Sequence, residues 1–294
     1  MKKYLFALLH ATRALNLVSW LNRRKVTILS YHSIVDNHDP LRPDAYKQHL
    51  PVDLFCQHLD YLQSKYSVIP LADFITARRE NRRLPNHSVV LTFEDGFQDF
   101  YTVAARQLAQ RRLPATVFII TDRAYGRLPP NGESFLSWEQ IHELATSGIE
   151  IGSHTCSHPR LPDLSPEDVM RELADSRSAI LEQLQPAHVP LSYPHGRTTN
   201  SISLLAQTLG YSCAITTALG PNDRDVDISR LNRTTIASDD NLATFAARVS
   251  GLTWWISRLR SFQGAENNRE RDTDPSSAYS SQRTKSYDCA ETIG

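Results

Sequence analysis

Short apolar runs alternate along this chain with longer stretches of helical spacing. Val26–Tyr31 (VTILSY), the SVVLTFEDG stretch at Ser88–Gly96, Ala115–Ile120 (ATVFII), Ile149–Ser153, Leu191–Tyr193, Cys213–Thr216 and Leu231–Ile236 are strand candidates. Several are continuous apolar runs rather than alternating ones, the pattern of strands covered on both faces. Ser67–Pro70 is a further short strand. Between them, Phe55–Tyr66 places Phe55, Leu59 and Leu62 on one helical face, and Leu71–Arg83, Phe100–Arg112, Trp138–Ser147, Pro166–Leu184, Ser201–Leu209 and Asn241–Arg260 are further helices. Ser137 caps one of these, with Glu139 and Gln140 in its first turn, and Ser165 caps another ahead of Pro166. Both are helix-start signals. His38–Pro51 and Asp122–Ser134 are polar, broken by proline or glycine, and expected to be loops. Strands and helices in this alternation predict an α/β fold with a mostly parallel sheet, and this many units suit a barrel.

Composition adds bounds. A chain of 294 residues fits one barrel-sized domain, here residues 26–262. Formal net charge is zero, so no basic excess marks a nucleic-acid surface. The four cysteines form no C-x-x-C pair, which favours free thiols and a reducing compartment. At the start, Lys2 and Lys3 followed by Tyr4–Leu9 imitate a secretory signal, but the apolar run breaks at His10 and Arg13 with no clean cleavage site. Leu5, Leu8, Leu9, Ala11, Leu15, Val18 and Leu21 share roughly one face, so residues 1–25 are expected to form an amphipathic helix lying on the barrel or on a membrane surface. A cytoplasmic or membrane-peripheral location is the corresponding expectation, with export left open. Residues 263–294 are polar and aperiodic and are expected to be disordered.

The candidate chemistry lies at strand ends. The run Val89–Leu91 leads into Glu94, Asp95 and Gly96, and Ile149–Ser153 leads into His154-Thr-Cys-Ser-His158. Histidines four apart can face one metal ion from a helical turn. Two histidines and one carboxylate make a three-ligand site with open positions, and a second carboxylate beside it suits a water-activating base. Adjacent residues in an extended segment point to opposite sides, so Glu94 and Asp95 would divide these roles. Cys156, between the histidines, is a less favoured ligand. The same ligand set occurs in iron oxygenases, whose usual double-stranded β fold the helical content argues against.

Three motifs in order, TFEDG at 92–96, SHTCSH at 153–158 and SYPHG at 192–196, resemble those of the polysaccharide deacetylase family, the NodB-homology type of carbohydrate esterase. YHSI at 31–34 and LNR at 231–233 resemble the variant found among bacterial exopolysaccharide genes. The resemblance implies a distorted (β/α) barrel, a divalent metal, commonly zinc, and an acetylated carbohydrate substrate. By it, Asp95, His154 and His158 hold the metal and Glu94 is the catalytic base. Tyr193, Pro194 and His195 line the groove and supply an oxyanion N–H, and Arg233 steadies the base. This chain departs from the family in three places. Glu94 stands where Asp is usual, Ser192 stands where an arginine often opens the third motif, and no late leucine-x-x-histidine follows Arg233 to supply the general acid. His32 or His195 could take that last role. These departures leave a rival reading, a non-catalytic carbohydrate-binding barrel.

Overall fold

The strands form where the apolar runs predict them, save for two short ones, Ser33–Val35 and His49–Pro51. In the computed structural model, which describes residues 14–36, 48–127 and 133–260, they are β1 (Thr27–Tyr31), β2 (Ser33–Val35), β3 (His49–Pro51), β4 (Ser67–Val68), β5 (Ser88–Phe93), β6 (Thr116–Ile119), β7 (Glu150–Ser153), β8 (Leu191–Ser192), β9 (Ala214–Ile215) and β10 (Thr234–Thr235). The main sheet runs β10-β1-β5-β6-β7-β8-β9, with β4 beside the start of β5, and every pairing between these strands is parallel. A parallel bridge between Ile215 and Leu231 joins β9 to the segment entering β10, so the pairing comes full circle. This is the distorted barrel that the resemblance implies.

The helices are α1 (Ala14–Asn22), α2 (Val52–Lys65), α3 (Leu71–Arg79), α4 (Ala105–Arg111), α5 (Thr121–Ala124), α6 (Trp138–Thr146), α7 (Pro166–Leu184), α8 (Asn200–Thr208) and α9 (Leu242–Val249). The expected caps are present: Ser137 forms a capping box with Gln140, and the Ser165 side chain accepts the Asp168 N–H ahead of Pro166. Each removes orphan donors from a helix start.

Strand period divides the core in two. Leu29 and Tyr31 of β1, Val89, Leu91 and Phe93 of β5, and Val117 and Ile119 of β6 pack outward against helix residues such as Phe55, Leu59, Ile141 and Leu173. The alternate residues Ile28, Val90, Phe118 and Ile215 form a second cluster inside the barrel, closed at its lower end by Leu71, Phe74 and Ile75 of α3. Following the interior column upward, each strand changes from apolar to polar. Ile28 gives way to Ser30 and His32, Val90 to Thr92 and Glu94, and Leu231 to Arg233. Side chains alternate with period two, so the barrel's upper interior is reserved for these polar groups.

Five expectations change. His49–Pro51, placed in a loop, pairs with β2 through Ser33, Ile34 and Val35; residues 37–47 of that loop lie outside the described residues. The segment after Asp122 is not all loop, because Thr121–Ala124 closes a helical turn. Helix 71–83 ends at Arg79, where Asn81 turns left-handed at φ 54°. The helix from Phe100 opens as a π turn, Phe100–Ala104, before α4. The final helix is interrupted at Gly251, whose φ is 85° and where a Cβ would sit 2.5 Å from Asn22 Nδ2. Asn22 Nδ2 donates to the Ser250 carbonyl at 2.9 Å, tying α1 to the end of α9.

Leu15 of α1 is buried with Ala246 and Ala247, so this helix lies on the barrel, while Leu17, Trp20 and Leu21 are exposed. Leu21 therefore departs from the face predicted for it. Residues 1–13 and 261–294, including the expected disordered tail, lie outside the described residues. A second unit, Thr253–Gly294, contributes described residues 253–260, which are helical. No helix among the described residues is long and apolar enough to cross a membrane.

Gly152 of β7 sits where its Cβ would meet the Phe118 ring at 2.5 Å and Pro190 at 3.0 Å. Overpacking a closed core costs about 1–3 kcal/mol. Gly152→Ala is expected to lower unfolding free energy by that amount in urea titration, with the slope unchanged.

Candidate active site

Glu94 continues the interior column of β5, its N–H donating to the Tyr31 carbonyl at 2.9 Å. Asp95 then adopts φ 69°, followed by Gly96 at φ 73°. The left-handed turn falls on Asp95 itself and swings its carboxylate to the side that Glu94 faces. In an extended chain the two would diverge. The second loop is built in a similar way. His154 N–H donates to the Ile119 carbonyl at 2.8 Å, and Thr155 and His158 take φ 66° and 67°. Ser153 Oγ accepts the Thr155 N–H at 3.1 Å and Thr155 Oγ1 accepts the His158 N–H at 3.2 Å. Such conformations cost a non-glycine residue of order 1–3 kcal/mol and persist only where neighbours impose them.

These turns bring three donor atoms together. His154 Nε2 and His158 Nε2 are 3.1 Å apart, and Asp95 Oδ1 lies 3.4 Å from the first and 3.5 Å from the second. Metal–ligand bonds of about 2.0–2.2 Å in a tetrahedral site separate donors by about 3.3–3.6 Å; both separations from Asp95 fall in this range and the two imidazoles are slightly closer, so the three atoms could hold one divalent ion. His154 Nδ1 is 2.7 Å from the Ser192 carbonyl. A carbonyl can only accept, so Nδ1 carries a proton, and in the neutral ring the Nε2 lone pair is left for a metal ion. Cys156 turns away: its thiol donates to the Glu172 carbonyl, and burial pushes its pKa up to about 11.

Glu94 is 1% exposed and lies beside this cluster, with Oε2 3.6 Å from His154 Nε2. Arg233 Nη1 reaches Glu94 Oε1 at 2.6 Å, Ser192 Oγ donates to Oε2 at 2.6 Å, and Ser30 Oγ donates to Oε1 at 3.4 Å. Burial acts to raise the Glu94 pKa, but the charges of Arg233, His154 and His32 and the Ser192 hydrogen bond take it below the usual carboxylate value. Asp95 is likewise lowered against its burial, by the hydrogen bond and charge of His154 and by His32 and His158. Burial acts to lower His154, and its contacts with Asp95 and Glu94 raise it. Burial and the neighbouring His154 push His158 down to about 3.

Other predicted residues divide. His32 is close enough to Asp95, Glu94, Arg233 and His154 to feel their charges, and its Nδ1 is buried without a partner. His195 is exposed at the rim, its ring 4.7 Å from that of His158. Tyr193 departs from the expectation that its side chain lines the groove: it is 0% exposed in the outer core and its hydroxyl donates to the Ser229 carbonyl at 3.1 Å. The period-two pattern explains this, since Tyr193 follows the inward-facing Ser192. Pro194 is buried as well and can line the groove only through its backbone. Two residues escaped the sequence reading as site residues, Ser30 and Ser192. The available signal was their place one step above the apolar interior column.

Barrel and site together describe a hydrolase-type centre, with metal-spaced donors and an ionised carboxylate beside them. The family model for polysaccharide deacetylase matches residues 81–214. YxkH of Bacillus subtilis, which carries the family's name, is 28% identical over 229 residues, covering 78% of this chain and 77% of its own. The chitooligosaccharide deacetylase of Sinorhizobium fredii is 29% identical over 138 residues, covering 46% of this chain and 59% of that protein. Among solved structures, the Streptococcus pyogenes deacetylase PplD matches with a TM-score of 0.68 and 26% identity over 76% of this chain and 98% of that one. The chain is thus similar to the polysaccharide deacetylase family over residues 81–214, and the likeness to YxkH and PplD extends over 78% and 76% of its length.

Removing one partner of a buried ion pair typically costs about 3–5 kcal/mol. Arg233→Met should lose that much at neutral pH in the metal-free protein. In the parent, the lowered Glu94 pKa stabilises the fold above the unfolded carboxylate value, and this is lost as pH falls through the folded value. In the variant burial is unopposed by Arg233 and the folded pKa rises, so the deficit should shrink as pH falls through the carboxylate range. Urea titrations of both proteins at neutral and acidic pH measure it.

Proposed function

We propose that this protein is a metal-dependent deacetylase that hydrolyses N-acetyl groups on an amino-sugar polymer or oligomer. The observation that carries this reading is the juxtaposition of Asp95, His154 and His158, as one donor set, with the ionised Glu94 carboxylate beside them. The amide rather than ester specificity rests on relatives. Besides the chitooligosaccharide deacetylases, the poly-beta-1,6-N-acetyl-D-glucosamine N-deacetylase of Escherichia coli is 33% identical over 103 residues, 32% of this chain and 15% of that protein. An ion held by Asp95, His154 and His158, with zinc the ion best suited to two imidazoles and one carboxylate, would polarise the acetyl carbonyl and acidify water.

The chain's own residues supply the rest. Glu94 takes a proton from the attacking water as its oxygen bonds to the acetyl carbon. Arg233, Ser192 and Ser30 hold that carboxylate ionised and aimed. The oxyanion then needs an N–H donor from the third motif. The Tyr193 N–H is engaged by the Ile215 carbonyl and Pro194 has none, which favours the His195 N–H. When the carbon–nitrogen bond breaks, the leaving amine needs a proton. His32, whose buried Nδ1 has no hydrogen-bond partner, is one candidate for that transfer and His195 at the rim is the other, although burial holds the His32 pKa below its ordinary value. The products are acetate and a free amine.

Glu94→Gln is expected to keep divalent-metal binding and to lose about 10²–10⁴-fold in acetate release from acetylated chitooligosaccharides. His154→Ala is expected to lose stoichiometric metal binding while keeping its far-ultraviolet circular dichroism. If Glu94→Gln turns over at the parental rate, Glu94 is not the base. If the metal-loaded parent releases no acetate from any acetylated glycan yet binds them, the non-catalytic barrel is the better account.

A further inference from the structure

Glu172 belongs to none of the sequence motifs, yet its carboxylate takes three hydrogen bonds from the loop that carries both histidines. Its Oε2 accepts the N–H groups of Cys156 and Ser157 at 2.9 and 3.0 Å, and its Oε1 accepts Ser157 Oγ at 2.5 Å. Hydrogen bonds to an ionised acceptor are about twice as strong as neutral ones. Both amides lie between His154 and His158, in a loop whose Thr155 and His158 are left-handed.

The start of α5 holds two carbonyls of this loop, the Thr121 N–H donating to Thr155 at 3.2 Å and the Asp122 N–H to Cys156 at 3.0 Å, and leaves the N–H groups of Cys156 and Ser157 to Glu172. Cys156, Ser157 and Pro159 line a cleft of about 680 Å³ between α5 and α7, with Asp122, Tyr125 and Glu172 on its walls. The platform carrying Glu172 is firm. Val169, Leu173, Ser176 and Ile180 of α7 are buried, Ser176 Oγ meets Ser153 Oγ of β7 at 2.5 Å, and the Tyr211 hydroxyl bridges the Leu173 carbonyl and Ser153 Oγ at 2.8 and 3.1 Å. The two histidines differ in support. His154 is fixed by the Ile119 and Ser192 carbonyls, whereas His158 has only the Thr155 hydroxyl on its N–H and a side chain 25% exposed.

We propose that Glu172 is a positioning residue for the metal centre. It clamps the 156–157 backbone from α7 and thereby sets His158 at ligand distance from His154 and Asp95. The inference rests on the metal-centre reading above. Glu172→Ala should release the loop and weaken the His158 ligand, while His154 and Asp95 stay in place. Loss of an outer partner of a metal ligand typically costs about 10–100-fold in affinity. Glu172→Gln should bind like the parent, because its amide oxygen can accept both N–H groups and its NH₂ can donate to Ser157 Oγ. Glu172→Asp, one methylene short of the amides, should fall with the alanine variant.

The test strips the full-length protein of metal and titrates zinc against a chromophoric chelator, then records the visible spectrum of the cobalt-loaded form as a readout of coordination. Thermal unfolding of the metal-free proteins separates loop positioning from general destabilisation. The expected result is zinc affinity about 10–100-fold lower and an altered cobalt spectrum for Glu172→Ala, with Glu172→Gln parental in both. Parental affinity and spectrum in Glu172→Ala would overturn the proposal, as would Glu172→Gln failing along with it. Should the alanine variant not fold, Glu172→Asp is read in its place, and parental affinity there overturns the proposal equally. If the parent binds no zinc, or His154→Ala binds it fully, the metal-centre reading fails, an outcome distinct from the failure of Glu172 alone.

Discussion

A carboxylate enclosed in a barrel must be met by donors or lose its charge, and the upper interior of this barrel is arranged around that requirement at Glu94. One of its oxygens faces Arg233 and the other faces Ser192, with Ser30 behind. These partners come from β1, β8 and the segment entering β10, so the closed ring itself brings them together. A buried ion pair is weak evidence for stability, because desolvation offsets much of the attraction. Its value here lies in keeping a proton acceptor ionised next to three metal-spaced donors.

The same contacts account for two of the departures from the family pattern. Glu94 is one methylene longer than the usual aspartate, and Ser192 is short where an arginine is common. The two side chains meet at 2.6 Å, and Arg233 Nη1 touches Ser192 Oγ at 3.1 Å as well as Glu94. Ser192 also presents its carbonyl to His154, so one residue orients both the base and a ligand-type histidine. The substitutions form a mutually satisfied set rather than a decayed one, which weighs against the non-catalytic barrel.

Half of the non-glycine residues with left-handed backbone among the described residues lie at the mouth. Asp95, Thr155, His158 and His195 are left-handed without being glycine. Each sits at or just beyond a strand end, where a well-bonded ladder below can hold an unfavourable turn above. That division between a rigid sheet and strained loops allows side chains from separate strands to meet within hydrogen-bond distances.

The strand and helix candidates were legible because continuous apolar runs, caps and spacing are local properties. The long helix after Ser165 ends at Leu184 as expected, and the acid pair and both histidines lie at strand ends as read. The break at Gly251 was hidden because its cause, Asn22, comes from the other end of the chain. The pairing of His49–Pro51 with β2 was missed for the same kind of reason, a short strand defined by its partner. Tyr193 was assigned to the groove from its motif, whereas which side of the barrel wall it faces depends on closure of the sheet. By itself the sequence determined the candidate ligand types, their order and the family resemblance, since these are carried by residue identity and spacing. Only the tertiary structure decided that Asp95 turns to join Glu94, that Ser30 and Ser192 share that carboxylate with Arg233, and that Glu172 reaches the histidine loop. Each of those depends on distances between residues far apart in the chain, which the packing of strands and helices sets and no local pattern encodes.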